Sequence, residues 1–312
     1  MSVLSRPYFH DEAAAFEHVE GMLWPQGPVC HHCGSMEKHY ALKGGRTKPS
    51  KKNPNGVEIH GLYKCRDCRK KFTVRMGTIF EESHLPLHIW LQALHAMCAS
   101  KKGVSAHQLH RALEITYKSA WFMCHRIREA MRSNDFTPMG GAGKFVEVDE
   151  TYIGRMSGVG NLKGSGTKNT VLTLVERGGI ARSFHVDSAT VARVLPIVNA
   201  NIHKESVFMS DEARLYDNIG PEFAAHGTVN HGREEYVRGI VHTNTVEGYY
   251  SIFKRGMKGV YQHCAEHHLH RYLAEFDFRY SNRVAMGIDD NVRSLIALKG
   301  AKGKRLTYRQ PA

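Results

Sequence analysis

Cys30-His-His-Cys33 and Cys65-Arg-Asp-Cys68 commit the first part of the chain to a metal. Each is a C-x2-C knuckle, and two knuckles can place four thiolates at the corners of a tetrahedron around Zn²⁺. A module this short has too small an apolar core to stand without the ion. The knuckles are 31 residues apart, and the Pro-, Asn- and Gly-rich stretch 44–56 absorbs the excess over a minimal ribbon as a loop. A redox pair is the rival reading, but two CxxC units lack the strand and helix setting it needs. His31 and His32 sit inside the first knuckle as bystanders, because four cysteines complete the shell. After the second knuckle, Phe72, Val74 and Met76 alternate like a strand. Arg69, Lys70, Lys71 and Arg75 give that strand a basic surface suited to phosphates.

Lys and Arg number 43 against 30 Asp and Glu, a net charge of +13. Such an excess favours a polyanionic partner, nucleic acid first, through release of condensed counterions. No apolar run of about 18 residues appears, and the N-terminus has no signal-peptide core. We therefore expect no membrane partner and a place in the cytoplasm with the nucleoid. Seven cysteines, four of them in tight pairs, suit reduced thiolates better than a disulfide framework. Cys98 and Cys124 read as core residues.

The organisation expected is a zinc-ribbon region over 1–82, helices over 83–135, a mixed α/β domain over 136–285 and a basic tail over 286–312. Leu87, Trp90, Leu91, Leu94, Met97 and Cys98 follow helical spacing, predicting a helix over 86–99 that starts near Pro86. Ser105 with Gln108 reads as a capping box, Glu114-Ile115-Thr116 as a break, and Tyr117 to Arg132 as a second helix burying Trp121, Cys124, Ile127 and Met131. Two short helices with a brief turn match a helix-turn-helix, with Lys118, His125, Arg126 and Arg132 available to DNA; an ordinary helical connector has the same pattern. The tail from Lys299 to Arg309 has five basic residues and no acidic one, and reads as loose or lying along a phosphate backbone.

In the α/β part, 145–154 reads as a strand delivering Asp149 at or near its end, followed by strands at 171–176 and 183–186, a helix from Thr190 to Ile202, and a strand at 206–213 delivering Asp211. Residues 242–256 read as a helix carrying Glu247, with Lys254 seven positions on. Two aspartates from adjacent strands and a helix-borne third ligand can hold two Mg²⁺ about 4 Å apart. Lys254, two turns along the same face, is placed to hold a phosphate. Each group also has a bland alternative. Lone strand-end carboxylates are commonly just solvated, Lys254, Arg255 and Lys258 can be a solvated basic face, and Asn244 with Glu247 can be a capping box. Glu150 and Glu212 should face away, while Glu147 shares Asp149's face as a lesser candidate. His263, His267, His268 and His270 read as a solvated helix face, and Phe276, Phe278 and Tyr280 as core.

These segments together carry a family resemblance. CHHCG, KCRDCRKKFTVRMGTIFEES, GVSAHQLHRALEITYKSAWFMCHRIREAMR, VEVDETYIG, FMSDEA and HTNTVEGYYSIFKRGMKGVYQH with YLAEFDFRYSNR, in that order over roughly residues 15 to 285, resemble a prokaryotic insertion-sequence transposase of the DDE superfamily with an N-terminal zinc ribbon. The resemblance implies an RNase H-like mixed sheet flanked by helices, with Mg²⁺ or Mn²⁺ at Asp149, Asp211 and a third ligand. It also implies binding of double-stranded terminal inverted repeats, cleavage of the element's ends, joining of 3′-hydroxyls to target DNA, and a dimer or larger assembly on paired ends. Lys70, Lys71, Arg126, Lys254 and Arg255 are the expected DNA contacts. Members of this family carry Asn, Glu or His as third ligand. Here Asn244 and Glu247 lie one turn apart; the 35 residues between Asp211 and Glu247 and the offset to Lys254 favour Glu247, with Asn244 the alternate. A non-catalytic DNA-binding regulator and a structure-specific nuclease of the same fold are the alternative functions.

Overall fold

A computed structural model describes residues 2–51, 53–156, 158 and 165–307. The chain forms two compact units, the first from 1–99, 106–131 and 290–312, the second from 100–105 and 132–289. Among the described residues, no helix is long and apolar enough to cross a membrane.

The first unit opens with helix α1, Glu12–Leu23, started by the Asp11 carboxylate, which accepts the Ala14 N–H at 2.8 Å. Strands β1 (His39–Ala41), β2 (Tyr63–Cys65) and β3 (Lys71–Phe72) form an antiparallel sheet with β2 in the middle. The 44–56 stretch is the expected excursion between β1 and β2, with Arg46 bridging Glu58; Lys52 lies outside the described residues. β3 stops at Phe72 rather than running on to Met76. The Arg75 guanidinium folds the following segment back by donating to the Phe80, Ser83 and Leu85 carbonyls, so it is not part of a phosphate-facing surface.

Three helices follow: α2 (Leu87–Ala99), α3 (Ala106–Ala112) and α4 (Tyr117–Met131). The first N–H groups of α2, at Leu87 and His88, are held by the Glu12 carboxylate at 2.8 and 3.1 Å, a cap lent by α1. The turn before α4 places Glu114 at φ 51° and uses the Thr116 hydroxyl to accept the Ser119 N–H. α4 corrects the sequence expectation. From Met123 to Met131 every residue is buried, Arg126 and His125 included, while Trp121 is only half-buried. The Arg126 guanidinium donates to the Ile79, Glu81 and Leu306 carbonyls at 2.8 to 2.9 Å, so it ties the unit together and does not face DNA. Burial of this kind demands such partners, since an unpaired interior cation costs several kcal/mol.

The second unit is built on strands β4 (Phe145–Ile153), β5 (Asn169–Glu176) and β6 (Ala181–Val186), helix α5 (Val191–Asn201), strand β7 (Val207–Ser210), the short helix α6 (Arg214–Asp217) and strand β8 (Ala225–Thr228). A small hairpin of β9 (Val237–Arg238) and β10 (Val241–His242) leads to helices α7 (Asn244–Gly256) and α8 (Leu269–Ser281). The sheet order is β6-β5-β4-β7-β8; β5 is antiparallel to both neighbours, and β4, β7 and β8 are parallel. This is the RNase H-like mixed sheet flanked by helices, with a fifth strand beyond those expected.

Because side chains alternate along a strand, each face of the sheet carries its own core. Val146, Val148, Leu172 and Leu174 pack with Val194 and Val198 of α5 and with Phe208. On the opposite face, Val171, Val175 and Ile153 pack with Val246, Tyr249, Tyr250 and Phe253 of α7 and Leu273 and Phe276 of α8. Every residue of β5 from Asn169 to Val175 is buried, as a strand covered on both faces requires. Gly256 ends α7 where a Cβ would lie 2.5 Å from the Phe276 ring and 2.6 Å from the Lys102 carbonyl oxygen.

The chain then returns to the first unit as α9, Asp290–Lys299, packed against α2 and α4 through Arg293, Ala297 and Leu298. The tail that follows is not loose through residue 307. Ala301 and Lys304 are buried, Lys302 bridges Thr78, and Arg305 pairs with Glu82 at 2.7 Å. These basic residues are engaged within the fold. Arg309 lies outside the described residues.

Candidate active site and zinc centre

The two knuckles bring the four expected sulfurs together. Cys30 Sγ lies 3.6 Å from Cys68 Sγ, and Cys33 Sγ 3.6 Å from Cys65 Sγ. All four are within 4.8 Å of one another. A tetrahedron with Zn–S bonds of about 2.3 Å has S–S edges of about 3.8 Å, so the donor set fits zinc. Each knuckle turns through a left-handed residue just after its second cysteine, Gly34 at φ 76° and Arg69 at φ 60°. Phe72 is buried against Cys30 and Cys65, with Trp24, Tyr63 and Met76 around them. His32 stays out of the cluster, its Nε2 lying 3.2 Å from the Lys71 carbonyl oxygen. Lys70 and Lys71 are exposed.

In the second unit, the parallel ladder of β4 and β7 leads toward the two aspartates. It pairs Phe145 with Val207 and Glu147 with Met209, and the same register continued places Asp149 beside Asp211. Neighbouring strands run about 4.8 Å apart. Asp149 is mid-strand rather than at a strand end, because β4 continues to Ile153; β7 stops at Ser210, which leaves Asp211 just past the end of that strand. α7 lies over this position. The Tyr250 hydroxyl donates to the backbone oxygens of Asp149 at 2.6 Å and Val171 at 3.2 Å. Glu247, three residues before Tyr250, is thereby turned toward the same region.

The electrostatics of the cluster agree with this layout. The Asp149 carboxyl is pushed up to about 8, first by burial and then by the Asp211, Glu150 and Glu247 carboxylates, against the Glu150 N–H bond that favours its charge. Asp211 is also raised, by burial foremost, although the Ala213 N–H at 3.0 Å opposes it. Glu247 is more exposed; its Oε1 accepts from the Thr243 hydroxyl at 2.9 Å and lies 3.5 Å from His231 Nε2. The N-cap of α7 is Thr243, so Asn244 is the first helical residue and the alternative reading of Asn244 and Glu247 as a capping box is not met. Asn244 is exposed.

The neighbouring acids are otherwise engaged. Glu150 points to the opposite face and accepts from the Tyr216 hydroxyl at 2.6 Å, and Glu212 holds the His231 and Gly232 N–H groups. Glu147 is fully buried among donors from α7 and Arg177. Lys254 Nζ lies 5.8 Å from the centre of the Tyr250 ring, and the exposed Arg255 bonds back to Ser251. His231, Thr243 and Tyr250 were not singled out from sequence; only the three-residue offset of Tyr250 from Glu247 hinted that one of them shares the site's side of α7. Asp149, Asp211 and Glu247 carry oxygen donors of the kind hard ions such as Mg²⁺ and Mn²⁺ prefer, but among the described residues only the four cysteines bring three or more ligand atoms within 4.8 Å of one another.

A proton on Asp149 has a stability consequence in protein that holds zinc but no second metal. With its folded value above the ordinary 3.8, the group's favourable contribution is complete below about pH 4 and is lost as pH rises through about 8. Asp149→Asn keeps the shape and cannot ionise. The variant is therefore expected to melt progressively higher than the parent as pH is raised from 5 to about 8. Paired melts without Mg²⁺ check this, and a gap that does not change with pH contradicts it.

Residues 140–281 match the family model described as ISXO2-like transposase domain, and residues 10–71 match the transposase zinc-ribbon domain. An uncharacterized protein in transposable element ISH50 of Halobacterium salinarum is 28% identical over 289 residues, which span 87% of this chain and 91% of that protein. All four cysteines fall inside the ribbon match, and Asp149, Asp211, Glu247 and Lys254 inside the other. Helices α2 to α4 and α9 lie outside both.

Proposed function

We propose that this chain, which pairs the zinc-ribbon and ISXO2-like domains of the insertion-sequence transposases, binds its element's terminal inverted repeats and cuts and joins DNA strands at Asp149, Asp211 and Glu247. The observation that carries the reading is that Asp149, two residues beyond the last β4–β7 pair, feels the Asp211 and Glu247 carboxylates while Tyr250 of α7 holds its backbone oxygen. The Asp211, Glu150 and Glu247 carboxylates raise the Asp149 carboxyl, a repulsion that a bound divalent ion would relieve. Asp149, Asp211 and Glu247 would hold Mg²⁺ or Mn²⁺, which when bound would supply Lewis-acid activation of a water or 3′-hydroxyl and stabilisation of the leaving oxygen.

The protein's own groups then have distinct tasks. Asp149, fixed within a strand, and Asp211, just past a strand end, supply ligands of different mobility. Lys254, two turns beyond Glu247 on α7, holds a phosphate of the strand being cut, and Arg255 and Lys258 extend that basic face along the backbone. Lys70 and Lys71 on the ribbon hold phosphates of the terminal repeat. The net charge of +13 adds long-range attraction for DNA. A dimer or larger assembly brings two ends together.

Zinc-loaded protein incubated with labelled terminal-repeat DNA, target plasmid and Mg²⁺ tests the reading. Nicked ends followed by joined products are expected. Nicks without joining make the protein a nuclease of this fold. Saturated binding with neither product makes it a DNA-binding regulator and overturns the catalytic assignment.

A further inference from the structure

Glu147 is a buried acid that the proposed chemistry leaves unused. It stands two residues before Asp149 on β4, on the same face of the sheet, and none of it reaches solvent. Its Oε2 accepts the backbone N–H groups of Thr245 and Val246 at 2.7 and 2.9 Å. Its Oε1 accepts the Thr245 hydroxyl at 2.7 Å and Arg177 Nε at 2.5 Å, with His242 Nδ1 3.2 Å away. A carboxylate offers about four lone-pair positions, and these four donors fill them. Glu147 therefore has no lone pair left for a metal.

Thr245 and Val246 are the second and third residues of α7, whose first N–H groups have no partner inside the helix. Thr243, the N-cap, makes no side-chain capping bond. The sheet supplies the cap instead, and its negative charge lies at the end of the helix dipole that favours it. Arg177 extends the arrangement by donating to the Ile240 and His242 carbonyls at 2.7 and 2.8 Å, which fixes the strand leading into α7.

We propose that Glu147, braced by Arg177, is a positioning clamp that sets the first turn of α7, and with it Asn244 and Glu247, at a fixed place relative to Asp149. The inference rests on the assignment of Asp149 and Glu247 proposed above. Its physical basis is that the third ligand comes from a different element than the first two, and metal ligands must be held to within about 0.5 Å. Two positions on one strand are rigidly spaced, so anchoring the helix at Glu147 registers it against Asp149.

The test is Mn²⁺ uptake by zinc-loaded protein without DNA, followed by loss of the free-ion electron paramagnetic resonance signal. Glu147→Gln keeps an oxygen for the two N–H groups but loses the charge facing Arg177. It is expected to weaken Mn²⁺ binding by about tenfold or more, as outer partners of metal ligands typically do when changed. Zinc content and affinity for terminal DNA should be unchanged. Thr245→Val, which removes one donor without adding a buried charge, should weaken Mn²⁺ binding in the same direction, and it decides the matter if Glu147→Gln does not fold. Folded variants that bind Mn²⁺ like the parent overturn the clamp alone. A parent that takes up no Mn²⁺ overturns the metal site itself, and the clamp with it.

Discussion

Asp149→Ala is expected to lower strand cleavage on the order of 10³-fold or more while leaving affinity for terminal DNA nearly unchanged. A metal site of this kind supplies several kcal/mol of charge stabilisation in the transition state, and each 1.4 kcal/mol is about tenfold in rate. Asp149 is the ligand whose loss cannot be compensated by movement. It is anchored mid-strand by pairing with Thr173 on one side, and its backbone oxygen is held by Tyr250 on the other. Asp211 lies just past the end of β7, so Asp211→Ala should be comparably damaging in rate, though a neighbouring acid has more freedom to approach its place. The same assay separates the candidates for third ligand. Glu247 acts on the Asp149 carboxyl electrostatically, whereas Asn244, exposed like Glu247, is the first residue of the helix. Glu247→Ala should approach the Asp149→Ala defect, and Asn244→Ala should cost about tenfold or less. Equal defects would move the ligand to Asn244. Full cleavage by Asp149→Ala would remove the active site from this sheet altogether.

The parts of this fold that were readable in the sequence are those whose signal is local. A C-x2-C knuckle encodes its own turn, so Cys30, Cys33, Cys65 and Cys68 could be grouped from spacing. Strand-like runs bounded by turn signals exposed β4, β5 and β6, and the short apolar run before Asp211 marked β7. β8 escaped because Ala-His-Gly-Thr has neither alternation nor bulk, and it is a strand only through its ladder with β7. Arg75 and Arg126 show the other limit. A cation on a helix or beside a strand looks the same in sequence whether it meets phosphates or carbonyls, and the answer depends on what encloses it. α4 is enclosed by α2, α3 and α9, the last arriving from more than 150 residues away. The basic tail misled for the same reason, since Lys304 and Arg305 are engaged by partners far off in sequence. Glu147 was placed on the correct face by alternation alone. Its partnership with the start of α7 spans about 98 residues and has no local trace. α7 begins at Asn244, two residues after the expected start at 242, which is the ordinary resolution of boundary signals.

Removing zinc, by chelation or by Cys65→Ser, is expected to unfold the ribbon and reduce affinity for terminal DNA by about a hundredfold or more. The three strands there are 3, 3 and 2 residues long, and the buried cluster they enclose consists of Cys30, Cys65 and Phe72. Two of those three are ligands. Without the ion, four sulfurs within 4.8 Å of one another lose the reason for their proximity, and about 10 kcal/mol of binding energy is no longer available to hold them. The loss should reach α1, because the Tyr63 hydroxyl on β2 donates to Glu20 on α1 at 2.8 Å, and Trp24, which follows that helix, packs on the rings of Tyr63 and Phe72. The second unit has its own two-faced core and should remain folded, so Mn²⁺ uptake should survive Cys65→Ser while DNA binding does not. Zinc content measured alongside melting and a filter-binding titration gives the comparison. A zinc-free protein that melts within a degree or two of the parent and binds terminal DNA equally well would show that the cysteines contribute only packing. Loss of Mn²⁺ uptake together with zinc would instead show that the second unit does not hold its site independently.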